Sequence, residues 1–324
     1  MDALKNIYTA LIRSTIDYAC VAYRSAAKSH LKKLDVVQAQ ALRLCCGAFK
    51  TSPVSAMQVE VGEMPLSLRR IQLSMNYWVT LKGHNQDHPS KVVLNKCWEH
   101  GRKDFNSFGW LGEEEAERME LTELSYCQTV AMSPTPPWLF PMPAVDLEIG
   151  NMSKQGNPHG GMSNLVQRYM NFKYIDFVQV YTDGSKVPAT GRTGAAVHVP
   201  SFAIAIKQRT PDHLSIYSVE LLAIIMALSW IENKNLQDVV ICSDSRAALV
   251  SIMNFKSSCR LDLLFEVFHA LHRISHKGMH VNFLWVPAHA DVEGNEVADF
   301  LAKKALKIEI GNLVVPLSRE EVNT

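Results

Sequence analysis

Apolar residues recur at steps of three and four along the first quarter of the chain, which predicts amphipathic helices. Such stretches run through residues 4–16, 31–44 and 66–81, and Gly47 follows the second of them. Glycine suits the end of a helix because it adopts positive φ without steric cost. We therefore expect an N-terminal α-helical region over residues 1–82.

The pattern changes beyond residue 174, where apolar runs become short. Five of these runs are bounded by turn residues and predict strands: 177–182, 194–199, 202–206, 238–243 and 279–286. Helical stretches follow from the third run onward, at 214–231, 245–255, 261–275 and 292–306. The first three strands form a meander, and strand-helix-strand crossovers give parallel pairing. This order predicts an α/β domain with a mixed five-stranded sheet flanked by helices.

Periodicity fades between the two patterns. An acidic run from Glu113 to Glu123 is followed by prolines and then by a Gly/Asn/Ser-rich stretch, a composition typical of linkers. We therefore predict a partly disordered linker over 83–173, a domain over 174–308 and a C-terminal tail over 309–324.

Composition narrows the classes of protein. Hydrophobic residues make up 47% of the chain and charged residues 20%, with a formal net charge of +1, so a nucleic-acid partner would be held by local patches rather than by overall charge. Seven cysteines without C-x-x-C pairs suggest neither a zinc site nor a disulfide framework. Charges interrupt the N-terminal apolar run, so we expect no signal peptide, no membrane span and an intracellular protein of the nucleus or cytoplasm.

Four acids fall where the predicted elements converge. Asp183 and Asp244 end the first and fourth strands, Glu220 lies in the first turns after the meander, and Asp299 lies in the last helix. Any one acid at such a place is more often a turn former or a helix cap. Carboxylates pressed together, however, repel unless a cation neutralises them, and magnesium prefers such oxygen ligands.

Four motifs carry these acids and follow one another along the chain. They read YTDGSK (181–186), SVELLAIIMAL (218–228), SDSRAAL (243–249) and WVPAHADVEGNEVADFLAKKA (285–305). In order and separation they resemble the ribonuclease H family.

The resemblance implies a metal-dependent endonuclease that hydrolyses the RNA strand of RNA/DNA hybrids, without a small-molecule cofactor. It implies two Mg²⁺ ions, with Mn²⁺ able to substitute, held by Asp183, Glu220, Asp244 and Asp299. His289 matches the family's loop histidine and counts with the four acids as catalytic. The implied substrate-binding residues are Gly184, Ser185 and Asn295.

Alternatives stay open at several of these positions. His289 could be a merely exposed loop histidine, and Asn295 could be a helix cap. The family often has glycine where this chain has Ala288, which puts the geometry of the loop in doubt. A catalytically silent nucleic-acid-binding remnant is the main rival function, and an integrase- or exonuclease-like enzyme acting on DNA is another.

The N-terminal region carries a second, looser resemblance. The run LDVVQAQALRL (34–44), the turn at Gly47 and Met64-Pro65-Leu66 are similar to the helical region after the palm in reverse transcriptases of non-LTR retrotransposons. This implies a C-terminal fragment of a retrotransposon polyprotein, with basic side chains such as Lys32 and Lys33 facing duplex phosphates. No Y-x-D-D signature occurs in the sequence, so polymerase activity is not expected.

Overall fold

A computed structural model of the chain describes residues 2–99, 108–128, 133–152, 161–309 and 313–322. The chain divides into two compact units, Met1–Thr129 and Val130–Thr324. The first unit is helical, and the second is built on a sheet.

The described part of the first unit consists of helices and connecting turns. They are α1 (Asp2–Ile7), a π-helical stretch (Tyr8–Arg13), α2 (Ser14–Asp17), α3 (Cys20–Tyr23), α4 (Lys28–Cys46), α5 (Val54–Val61), α6 (Leu66–Lys82), α7 (Pro89–Glu99) and α8 (Phe108–Arg118). Helix α4 ends at Gly47, which has φ of 61°, and the Ala48 amide donates to the Arg43 carbonyl at 3.0 Å. The expected helical N-terminal region is confirmed.

Helix α8 lies in the stretch predicted as linker, yet it packs into the first unit. Gly112 faces the indole of Trp78, where an added Cβ would stand 3.1 Å from the ring. Glu113 accepts a hydrogen bond from the Trp78 Nε1 at 2.9 Å. The acidic residues of this stretch therefore belong to a helix whose buried face is made of small residues. Composition alone does not distinguish such a helix from a linker.

The second unit has a six-stranded sheet. Its strands are β1 (Ala144–Asp146), β2 (Val178–Lys186), β3 (Thr193–Val199), β4 (Ile204–Thr210), β5 (Asp238–Ser243) and β6 (His280–Trp285), in the spatial order β1-β6-β5-β2-β3-β4. Antiparallel pairing joins β2, β3 and β4, whereas β5 runs parallel to both β2 and β6. The expected mixed sheet is confirmed.

The prediction of five strands was wrong by one. Strand β1 pairs in parallel with β6, and it lies in the predicted linker between Pro143 and Leu147. Three residues next to prolines carry no readable alternation, so only the tertiary pairing with β6 defines the strand.

Residues after β1 also belong to the second unit rather than to a linker. The helices α9 (Glu148–Met152) and α10 (Gly161–Lys173) follow it. Val166 and Met170 of α10 are buried in the same cluster as Ile149 and Leu284. Asp146 anchors α10, because its carboxylate accepts hydrogen bonds from the Tyr169 and Tyr174 hydroxyls and from the Lys173 ammonium.

The described part of the second unit has two 3-10 helices, at Pro137–Leu139 and Pro200–Phe202, and five further α-helices: α11 (Ile216–Lys234), α12 (Arg246–Asn254), α13 (Leu261–His276), α14 (Glu293–Ala305) and α15 (Arg319–Val322). Among the described residues, α11 alone is long and apolar enough to cross a membrane by length and composition, and 61% of its apolar window is buried in the fold. A core helix of a globular domain passes the same test.

Residues predicted as a C-terminal tail also enter the core. Val315 and Leu317 are buried, and so are Ser318 and Glu321. The stretch is too short and too mixed in polarity to show a period, so its burial depends on partners distant in sequence.

Gly294 at the start of α14 gives a test of this packing. An added Cβ would stand 2.2–2.4 Å from three ring carbons of Tyr181, so Gly294→Ala must push α14 away from β2. We expect the free energy of unfolding to fall by roughly 1–3 kcal/mol, the usual range for overpacking. Urea denaturation measures this, with the exposed neighbour Glu293→Ala as control. Equal stability of the two variants would contradict the close contact.

Candidate metal centre

Sheet register brings the first two acids together. Strands β2 and β5 are parallel neighbours, and Thr182 is paired with Ser243. Asp183 and Asp244 are the next residues along the two strands. Both carboxylates therefore lie just beyond the C-terminal end of the β2–β5 pairing. The Trp285 indole of β6 fixes the second position by donating to the Asp244 carbonyl at 3.0 Å.

Glu220 reaches this edge from the first turns of α11. Ser215 caps the helix by accepting from the Ser218 amide at 3.1 Å. Gly184 permits the close approach, because an added Cβ would stand 3.0 Å from the Glu220 amide nitrogen and 3.2 Å from its carboxylate carbon. The structure thus gives Gly184, expected to bind substrate, a packing role beside the acids.

The three carboxylates form one buried cluster. Asp183, Glu220 and Asp244 each offer an oxygen within 4.8 Å of the others. Burial, together with the charges of Asp244 and Asp299, raises the pKa of Asp183 to about 8. Burial and the charge of Asp183 raise the pKa of Glu220, and burial raises the pKa of Asp244. Such a cluster is unfavourable as three bare anions.

Unpartnered oxygens show what the cluster can accept. The Asp183 Oδ2, the Glu220 Oε2 and the Asn295 Oδ1 are buried without a hydrogen-bond partner. Buried polar atoms are normally satisfied, so several orphaned oxygens at one place require an explanation. A hard divalent cation with oxygen ligands would satisfy them, and the donor set therefore fits Mg²⁺ or Mn²⁺.

Asp299 lies in a second group rather than in the buried cluster. It shares a 4.8 Å neighbourhood with His289 and Glu296, and it accepts a hydrogen bond from Lys303 at 2.6 Å. Its charge still contributes to the raised pKa values of Asp183 and Asp244. The four expected ligands are therefore arranged as a three-acid cluster, with Asp183 and Glu220 buried and Asp244 half-buried, and a separate half-buried acid, Asp299.

His289 stands at the exposed side of this second group. Its φ of 50° is in the left-handed region, as is the φ of 54° at Asp291. These values mark a tightly turned loop between β6 and α14, in which Ala288 precedes His289. The φ of Ala288 is not positive, so an alanine at this position needs no left-handed backbone.

Asn295 is held by Asp244. Its side-chain amide donates to the Asp244 Oδ2 at 3.4 Å, and the residue is 2% exposed. The capping alternative is wrong, because Val292 occupies the cap position of α14 and no side chain caps this helix. A buried amide bonded to one acid orients that acid.

Ser185 and Glu296 also lie near the acids. Ser185 lies in β2 opposite Gly194 and is half-buried, two residues after Asp183.

Glu296 was missed by sequence reasoning, although it precedes Asp299 by three residues on α14. That spacing places both on one helix face and is the signal that could have identified it.

Comparison with known proteins covers the same part of the chain. Residues 176–307 match the model of the RNase H family. Human ribonuclease H1 is 30% identical over 151 residues, which cover 42% of this chain and 52% of that protein. The chain therefore spans about half the length of this curated relative. The family resemblance of the C-terminal half is confirmed.

Two solved structures are also similar. One is the N-terminal RNase H domain of a Mycobacterium tuberculosis protein, fused to maltose binding protein; it is 20% identical, covers 40% of this chain and 94% of its own, and has a TM-score of 0.31. The other is RNase H1 from the archaeon Halobacterium salinarum, 21% identical, with coverages of 40% and 96% and a TM-score of 0.32.

The repulsion in the cluster can be measured without activity. Because the pKa of Asp183 is raised from 3.8 to about 8, folded wild type loses stability as pH rises from the ordinary carboxyl range to about 8. In chelator at pH 8, Asp183→Asn should therefore melt at least about 2 °C above wild type, and the gain should shrink at pH 5. Differential scanning calorimetry measures this, with Asp238→Asn at the far end of β5 as control. An Asp183→Asn variant that melts below wild type at pH 8 would contradict the predicted repulsion.

Proposed function

We propose that the second unit is a divalent-metal-dependent ribonuclease H that hydrolyses the RNA strand of RNA/DNA hybrids. One observation carries the proposal: Asp183, Glu220 and Asp244 form a cluster in which two of the acids are buried and each has an oxygen without a hydrogen-bond partner, within the segment that matches the RNase H family. The relative named ribonuclease H1 supports the same activity.

Asp183, Glu220 and Asp244 would hold the metal, with Asp299 as a further ligand at the open side. Two Mg²⁺ ions, replaceable by Mn²⁺, would supply charge compensation at the scissile phosphate and at its leaving oxygen. The protein's part is to keep the carboxylates together, and a bound cation would hold them deprotonated against the burial that raises their pKa values. Gly184 allows Glu220 to approach, and Asn295 fixes the Asp244 carboxylate.

For His289 we propose a role in proton transfer. It is exposed on a turned loop beside Asp299 and Glu296, so its ring can reach solvent and a bound strand. We assign it delivery of a proton to the leaving 3′-oxygen, a general-acid role that histidine often takes in enzymes. The neighbouring carboxylates would orient the ring.

Substrate discrimination falls to groups next to the acids. Ser185 follows Gly184 along β2 and is half-buried, so its hydroxyl can meet a ligand at the sheet edge. A ribose 2′-hydroxyl is the group that distinguishes RNA from DNA. We assign Ser185 to that contact and keep Gly184 and Asn295 as residues that border the bound strand.

We also propose that the chain derives from a retrotransposon polyprotein. The support is the sequence of the first unit, in which the run 34–44 of α4, the turn at Gly47 and Met64-Pro65-Leu66 resemble the helical region after the palm in reverse transcriptases of non-LTR retrotransposons. Lys32 and Lys33 are exposed on α4, where they would make phosphate contacts to a nucleic-acid duplex. The double variant Lys32→Ala/Lys33→Ala should weaken the affinity for RNA/DNA hybrid at low salt, as measured by filter binding. The cleavage rate of saturated substrate should stay unchanged, as measured by single-turnover kinetics. Unaltered affinity would contradict this contribution.

The central test is a cleavage assay with the full chain. Labelled RNA/DNA hybrid, duplex DNA and duplex RNA are each incubated with Mg²⁺ or with chelator, beside Asp244→Asn and the control Asp238→Asn. We expect hybrid-selective, metal-dependent cutting that falls by more than ~100-fold in Asp244→Asn, since even a partner next to a ligand typically contributes ~10–100-fold. Asp238→Asn, which is exposed at the opposite end of β5, should cut like wild type.

Other outcomes of this assay would identify the rivals. Binding of hybrid without cleavage would support a silent remnant of a mobile element. Preferential cutting of duplex DNA would support an integrase- or exonuclease-like enzyme.

A further inference from the structure

The C-terminal segment 313–322 forms a strap across the second unit, beyond residues 176–307 that match the family. Val315 and Leu317 anchor it by burial of their side chains. Glu321, in the short helix α15, is 4% exposed although it is an acid. A buried carboxylate is costly unless it is paired and hydrogen-bonded, so its partners define what the strap does.

Glu321 holds the start of helix α11. Its Oε1 accepts from the Ser215 amide at 2.7 Å and from the Ser218 hydroxyl at 2.5 Å. Ser215 is the cap residue of α11, and Ser218 lies in its first turn. A negative charge at this end of a helix is also favoured by the helix dipole.

Arg260 completes the arrangement from the other side. Its side chain is fully buried, and its Nη1 donates to the Glu321 Oε2 at 3.1 Å and to the Ser218 hydroxyl at 3.0 Å. Asp262 binds the same guanidinium through Nε and Nη2, at 3.0 and 2.8 Å. Burial alone would raise the pKa of Glu321, but Arg260 and the hydrogen bonds lower it, so the carboxylate is charged.

The same helical turn carries a proposed metal ligand. Glu220 follows Ser218 by two residues, and its amide nitrogen lies against Gly184 of β2. A shift of the α11 start would therefore move the Glu220 carboxylate relative to Asp183 and Asp244. Ligands must be held within about 0.5 Å to bind a metal well.

We propose that Glu321 and Arg260 are positioning residues that set Glu220 for metal binding. The inference rests on the proposed metal site and deepens it: the strap is part of the functional unit, and the affinity for divalent metal depends on a residue outside the family match. Neither residue touches metal or substrate.

The test measures Mn²⁺ binding to the full chain by isothermal titration calorimetry at 25 °C. Glu321→Ala should weaken binding by about 10-fold, within the ~10–100-fold typical of groups that orient a ligand. Glu321→Gln, which keeps an oxygen acceptor for Ser215 and Ser218, should show a smaller loss. The control Glu320→Gln changes the exposed neighbour on the same helix and should bind like wild type.

A stability control separates positioning from general destabilisation. Ile274→Ala removes a buried side chain on α13 and should lower the melting temperature while leaving Mn²⁺ affinity unchanged. If Glu321→Ala lowers stability but binds Mn²⁺ within twofold of wild type, the positioning role of Glu321 is wrong. The proposed function is unaffected by that outcome. Wild type that binds no Mn²⁺ would overturn the proposed function as well.

Discussion

Three carboxylates removed from water and placed side by side repel one another, and the second unit depends on tolerating that repulsion. Each acid comes from a different element. Asp183 follows the β2 residues that pair with β5, Asp244 follows β5, and Glu220 projects from α11. No local preference of the chain brings them together. The hydrophobic packing of α11 on the sheet contributes free energy that holds them in place.

Around the acids, neighbouring groups each restrict one degree of freedom. Gly184 sets how closely α11 approaches β2, the Trp285 indole fixes the Asp244 backbone, and the Asn295 amide fixes its carboxylate. Trp285 is itself packed against Gly150, where an added Cβ would stand 3.1 Å from the ring. Residues before the family match thus support a side chain that contacts the site.

Sequence reasoning succeeded where a pattern was local and failed where a contact was distant. The strands β2 to β6 and the helices between them follow from apolar periodicity, and the motifs around Asp183 and Asp244 located the site. By contrast, β1 is three residues long, and Glu321 is one of two adjacent acids in a short stretch of mixed polarity, so neither shows a readable period. Their placement is determined by β6 and Arg260, far away along the chain.

The sequence also predicted the set of acids better than their arrangement. All four lie near one edge, but Asp299 associates with His289, Glu296 and Lys303 rather than with the buried cluster. The distinction depends on how deeply α14 is seated, which Gly294 controls through its contact with Tyr181. Spacing along a helix gives the face of a residue but not its depth.

The contact between Ser215 and Glu321 joins residues 106 positions apart. On a ribosome that adds about 5–20 residues per second, helix α11 would therefore emerge roughly 5–20 s before the carboxylate that fixes its first turn has been made. During that interval the newly made domain lacks the contact that fixes the start of α11, the helix from which Glu220 projects.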